Sequence, residues 1–167
     1  MTSANDIFQS LWKHINSRQQ EVLEGRFGVG KFKEALTLAA LGEKYGITRE
    51  RVRQIEANAL KSLRTVVTTH PVCAQLFDRG RKYLKARGGV ARADAVLTHQ
   101  GQVVGGLGEN HMSLLLAASQ AFQAHPETDD FHSFYYMDDT ALSAANRFLQ
   151  KWSAALHERK DHVLEGN

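Results

Sequence analysis

The 167-residue sequence is poor in cysteine and proline and has no long apolar run. Its one cysteine, Cys73, cannot build an internal disulfide framework, and such scarcity suits a reducing cytoplasm, the expected location. With Pro71 and Pro126 the only prolines, long helices are permitted. No apolar stretch approaches the roughly 18 residues of a membrane span. The start, MTSANDIFQS, lacks the basic opening and long apolar segment of a secretion signal, so no membrane association is expected. Repeats and low-complexity tracts are missing as well. What is present is a hydrophobic fraction of 43%, enough for a packed core in one ordinary domain or two small ones.

Charge is unevenly placed. Net charge is +3, but residues 1–70 hold 11 Lys/Arg against 7 Asp/Glu. Residues 78–92 hold 6 against 1, and residues 93–146 hold none against 7. A basic front half of this kind suits a polyanionic partner, and the acidic stretch does not.

Periodicity predicts a mainly α chain. Ile7, Phe8, Leu11, Trp12 and Ile15 mark a first helix capped by Asn5 or Asp6. Ser17 with Gln20 reads as the capping box of a second helix that stops at Gly28. After the loop GVGKFKEA, Thr37 caps a short helix, Gly46 breaks it, Ile47 turns inward and Thr48 caps a longer helix ending near Thr68. Short helix, glycine turn and longer helix form a helix-turn-helix pattern, with Val52, Ile55, Ala59 and Leu63 as the buried stripe. Pro71 marks an expected boundary. Beyond it come a basic helix from about Val72 to Arg87 with Cys73, Leu76, Phe77 and Leu84 inward, and a short helix in ARADAVLTHQ. A glycine-rich loop, a helix opened by Asn110 and a β-hairpin within FQAHPETDDFHSFYYM follow. Three short helices and a hairpin are the order of a winged helix. Asp138, Asp139 and Thr140 cap a last amphipathic helix using Leu142, Ala145, Phe148, Leu149, Trp152 and Leu156. The expected organisation is a helix-turn-helix domain over 1–70, a winged-helix-like domain over 71–160 and a frayed tail over 161–167.

The run Ile47 to Arg64, ITRERVRQIEANALKSLR, carries most of the functional reading. Arg49 and Arg51 in its first turn oppose the positive end of the helix dipole, at a cost of a few tenths to about 1 kcal/mol. Nucleic-acid phosphates would offset that cost. On a helical wheel Glu50, Gln54, Ala57 and Lys61 centre the face opposite the apolar stripe. Arg53, Arg64 and Arg49 lie on one flank, Arg51 and Asn58 on the other. Glu50 can accept from a cytosine amino group and Gln54 can pair with adenine, while small Ala57 lets the helix sit deep in a major groove. The flanking arginines can reach phosphates or a guanine edge. A solvated face with i, i+4 pairs such as Glu50–Gln54 is the plain alternative, but Arg49–Arg53 would be a like-charge pair.

SRQQEVLEGRFGVG followed by TLAALGEKYGITRERVRQIEANALKSLR closely resembles region 4 of the sigma-70-type RNA polymerase sigma factors, over about Asn16 to Arg64. The resemblance implies recognition of a promoter −35 element. Arg49, Glu50 and Gln54 would contact bases, Arg51 and Arg53 would contact or help to read the backbone, and Thr48 would cap the helix and touch phosphate. It also implies RNA polymerase as partner, through the flap of the β subunit. Asn58 departs from the usual lysine and removes one positive contact. Only about 16 residues precede the match, so, unless the chain is a fragment, the promoter-melting regions of a complete sigma factor are not expected. YLKARGGVARADAVL is weakly similar to HARE-type winged-helix modules. Arg79, Arg81, Lys82 and Lys85, with Arg87 and Arg92, form either a second DNA contact or a solvated helix face, and the C-terminal half could equally meet a further protein.

Other signals carry less. None of the eight histidines pairs with a cysteine or another histidine at ligand spacing; His125 and His132, near Glu127, Asp129 and Asp130, read better as a polar turn than as a metal site. Asp129-Asp130 and Asp138-Asp139 fit a turn and a helix cap better than a catalytic pair. GVGKF lacks phosphate-loop spacing. No enzyme, metal or cofactor is expected. The leading expectation is a DNA-binding transcription regulator working on RNA polymerase. The alternatives are a repressor or activator independent of polymerase and an accessory module of a DNA-processing enzyme.

Overall fold

The computed structural model describes residues 2–126 and 132–148. A two-residue strand, β1 (Thr2–Ser3), leads into α1 (Ala4–Trp12), α2 (Ser17–Phe27), α3 (Leu38–Tyr45) and α4 (Arg49–Thr69). The second half runs α5 (Pro71–Lys85), β2 (Val90–Arg92), α6 (Ala93–Gln100), β3 (Val104–Gly105), α7 (Glu109–Ser119), β4 (Gln123–His125) and β5 (Phe134–Tyr136). The described part of a last helix, α8, covers 139–148. The chain is thus mainly α, a helix-turn-helix unit followed by a winged-helix-like unit.

Helix starts differ in detail from the sequence reading. Ser3, not Asn5 or Asp6, caps α1: its hydroxyl accepts from the Asp6 amide and the Asp6 carboxylate accepts from the Ser3 amide. Asn16 and Gln19, not Ser17 and Gln20, form the capping box of α2. In both cases a side chain earlier in the chain reaches the free amides, so the helix begins earlier. The Gln20 amide instead donates to Glu24 (2.7 Å). Ile15 lies beyond α1 but still packs against the core. Thr37, Thr48 and Asp138 cap α3, α4 and α8 as expected, accepting from Ala40, Arg51 and Ala141.

The expected hairpin is present as β4 and β5; its connecting residues 127–131, with Glu127, Asp129 and Asp130, lie outside the described residues. Residues 90–92, whose last two were read as the start of a helix, instead form β2, which pairs antiparallel with β5 (Val90↔Tyr136, Arg92↔Phe134). The order β2-β5-β4 completes a three-stranded sheet. The glycine-rich loop hides another strand, β3, which takes β1 as parallel partner (Thr2↔Val104). Strands of two or three residues are too short to show alternation, and their pairing is set by distant segments. In α8 Leu142 and Ala145 are half-buried while Phe148 is exposed; Leu149, Trp152, Leu156 and the 161–167 tail lie outside the described residues.

Among the described residues, two apolar clusters hold the fold. The smaller joins Val22, Leu41 and Val52 with Leu36, Leu38, Tyr45, Ile47 and Ile55, and is the interior of the helix-turn-helix. Ile55, expected to be buried, is half-buried, and Val67 extends the buried stripe of α4. The larger cluster reaches from α1 to β5: Ile7, Phe8 and Leu11 of α1, Leu23 of α2, Leu63 and Val67 of α4, Leu76 and Leu84 of α5, Met112 and Leu115 of α7, and Tyr135 of β5. α7 is packed against α4 and α2. Each large side chain buried in this way stabilises the fold by about 1.5–3 kcal/mol. His70 joins α4 to α5 directly, and Pro71 takes the first helical position of α5, where its missing N–H costs nothing.

Candidate nucleic-acid interface

The site is built on α3, the turn and α4. Gly46 ends α3 in the left-handed conformation at φ 64°, which lets the chain reverse within three residues. Gly42 faces that turn so closely that a Cβ there would lie 2.7 Å from the Ile47 carbonyl oxygen. Ile47 packs into the smaller cluster, and α4 sets off from Thr48. Arg26 ties the unit together from behind, donating to the Glu56 carboxylate (3.2 Å) and to the Leu36 carbonyl (2.6 Å).

Thr48, Arg49, Glu50, Arg51, Arg53, Gln54, Ala57 and Lys61 are all exposed, as the wheel requires. Four of their side chains are already linked. Arg53 donates twice to Glu50, at 2.8 and 2.7 Å; Gln54 donates to the same carboxylate at 3.4 Å; Arg51 donates to the Gln54 carbonyl oxygen at 3.3 Å. The Arg53 hydrogen bond holds the Glu50 carboxyl below its ordinary range, and Glu50 in turn raises Arg53. The pairing is thus i, i+3 between opposite charges, with Glu50–Gln54 at i, i+4 as the plain alternative anticipated. Exposed pairs of this kind are worth little in stability. Their effect is orientation: the acceptor of Glu50 and the amide of Gln54 stand on the outer face, ready for exchange with groups of equal hydrogen-bonding capacity.

The four basic residues of α5 fall into different roles. Arg79 is half-buried and donates to the His99 carbonyl (3.4 Å) and the Gln102 side chain (3.1 Å), linking α5 to the end of α6. Lys82 pairs with Asp78 at 2.7 Å. Arg81 and Lys85 are exposed, and among the described residues neither makes an ion pair. Charge counting along the sequence could not single out Arg79, because its partners on α6 and the following loop lie some twenty residues away. It also missed a stack in which the Arg87 guanidinium lies 3.6 Å over Tyr83, whose ring stacks on His99 at 4.6 Å. Arg92 is paired with Asp94 at 2.8 Å. His125 of β4 stacks flat on Phe134, its partner across the hairpin in β5, at 4.6 Å.

Comparison with known proteins places this geometry. Residues 13–65 match the family model described as Sigma-70, region 4. The chain is 43% identical over 67 residues to the RNA polymerase sigma factor SigA4 of Synechococcus elongatus, covering 40% of this chain and 21% of that protein. It is 36% identical over 83 residues to the sigma factor RpoD of Neisseria gonorrhoeae, covering 50% and 12%. It is 40% identical over 57 residues to RpoD of Helicobacter pylori, covering 34% and 8%. The chain therefore spans about a fifth or less of the length of these curated relatives. Residues 13–65, which hold the helix-turn-helix, thus match a sigma-70 region 4 module, and the match supports a DNA-binding role in transcription.

Proposed function

We propose that the chain recognises a −35-like promoter element by seating α4 in the major groove. Arg49, Glu50 and Gln54 read base edges; Arg51, Arg53 and Lys61 contact the sugar–phosphate backbone; Thr48 caps the helix beside a phosphate; Ala57 gives clearance. The observation that carries the reading is the single exposed face of α4, on which Glu50, Gln54, Arg51 and Arg53 stand pre-linked and solvent-facing within the stretch that matches region 4. Core RNA polymerase, through its β-subunit flap, is the proposed partner, and the match to region 4 supports it. The winged-helix-like half is proposed as an accessory module, similar to the HARE type, offering a second contact.

A second reading, a regulator that binds DNA without polymerase, is favoured by one feature. The apolar back of α2 and α4 is already covered by α1 and α7 of the same chain, leaving less of the module free for a protein partner. Selection of binding sites from random duplex DNA, with and without core polymerase, separates the two. Enrichment of one motif that sharpens with polymerase supports the first reading, and the same motif unaffected by polymerase supports the second. Arg49→Ala and Gln54→Ala should each remove about 1–3 kcal/mol of discrimination at one base pair. If neither changes the selected motif, the docking of α4 is wrong.

A further inference from the structure

We propose that Arg64, Arg81 and Lys85 form a second seat for duplex DNA, gripping the backbone just beyond the segment that α4 reads. The inference rests on α4 as the reading helix and adds where the duplex goes next. Thr68 follows Glu50 by 18 residues, five full turns, so both stand at the same azimuth about 27 Å apart. The polar stripe of Glu50, Gln54, Ala57 and Lys61 therefore continues through Arg64 to Thr68 along one face. α4 is about 32 Å long, whereas the major groove is about 12 Å wide. With its N-terminal turns at the base edges, as a recognition helix docks, α4 carries its C-terminal half out past the phosphate rim.

What waits there is basic and comes from the other half of the chain. The Arg64 Nε donates to the Ala118 carbonyl at the end of α7 (3.4 Å). Next to it Thr68, Arg81, Ser119 and Gln120 line one recess, so Arg64 of α4 and Arg81 of α5 border the same corner of the structure. Lys85 follows Arg81 one turn along α5, and both are exposed. No carboxylate among the described residues pairs with Arg81 or Lys85, in contrast to Lys82 and Arg92. Hydroxyl and amide groups of Thr68, Ser119 and Gln120 add neutral partners for phosphate oxygens, the usual mixture at a backbone contact. Because one apolar core joins α4, α5 and α7, the seat stands at a set distance from the reading face. A contact of this type positions the duplex and carries no sequence information.

The test uses the full chain and the double variant Arg81→Ala/Lys85→Ala, neither position being buried. Binding is measured by fluorescence anisotropy over a salt series on two duplexes of equal length, one carrying the selected motif and one scrambled. The expected result is a loss of roughly tenfold on both duplexes, with discrimination unchanged. The slope of log K against log salt should fall by about 1.8, two phosphates at about 0.9 each. A double variant that keeps parental affinity and slope on duplex DNA overturns the seat, as does a loss confined to single-stranded RNA of the same length. Gln54→Ala, run alongside, keeps the two readings apart. If it relaxes discrimination while the double variant is silent, only the second seat fails; if Gln54→Ala is silent, the reading of α4 fails.

Discussion

Truncating Leu115 to alanine probes whether α4 depends on the other half of the chain. Leu115 is fully buried on α7, outside the region 4 match, in the cluster that also holds Leu63 and Val67 of α4. Removing a buried leucine side chain forfeits its transfer free energy and leaves a cavity, together about 2–5 kcal/mol. Against a total stability of about 5–15 kcal/mol this is a large fraction. At about 2–4 °C per kcal/mol for a chain of this size, a loss of about 3 kcal/mol lowers Tm by about 6–12 °C. Circular dichroism gives Tm, and native-state hydrogen exchange resolves where protection is lost. Because α4 contributes to both clusters, with Val52 in the smaller and Ala59, Leu63 and Val67 in the larger, residues 38–60 and 93–119 should lose protection together. Leu115→Met, which nearly conserves volume, should cost less than about 1.5 kcal/mol. The reasoning is refuted if 93–119 is loosened by Leu115→Ala while 38–60 keeps its parental protection.

Three further outcomes are expected. Gly42→Ala sets a methyl 2.7 Å from the Ile47 carbonyl oxygen, and backbone cannot yield as a side chain would. Overpacking of about 1–3 kcal/mol should exceed the helix-propensity gain of about 1 kcal/mol, so Tm and DNA affinity both fall; two unchanged values would contradict the tight turn. Burial holds the His111 imidazole below its ordinary pKa, and its Nδ1 accepts from the Gly108 amide (3.2 Å). The unfolded chain then binds more protons, so this contribution is complete above about pH 6.5 and is lost as pH falls through the depressed value. Tm should drop from pH 7 to 5, and His111→Gln should flatten that slope; an unaltered slope would remove His111 from the account. Burial raises the Cys73 thiol to about 11, so a thiol reagent should label it only when the chain unfolds, and rapid labelling at pH 8 would show the site open.

Legibility followed the range of the interactions. Thr37, Thr48 and Asp138 were readable as caps because a cap acts within three residues. The exposed face of α4 was readable because helical geometry alone sets it. Asn16 and Ser3 were each missed through a capping choice between neighbouring polar residues, which the sequence leaves nearly degenerate. β1, β2 and β3 were missed because two or three residues have no periodicity of their own. The role of Arg79 was missed because it depends on what packs beside α5, whereas the Lys82–Asp78 pair is local to the helix, at i, i+4.

By itself the sequence determined the helix-turn-helix, its exposed face and its similarity to sigma-70 region 4, all properties of one contiguous stretch governed by local hydrogen bonding and a 3.6-residue period. Tertiary structure alone decided that α4 shares a core with α1, α5 and α7, that Arg64 reaches the Ala118 carbonyl, and that Arg81 borders a recess with Ser119 and Gln120. Burial and charge proximity are summed over atoms that are neighbours in space, and the groups concerned stand up to a hundred residues apart along the chain.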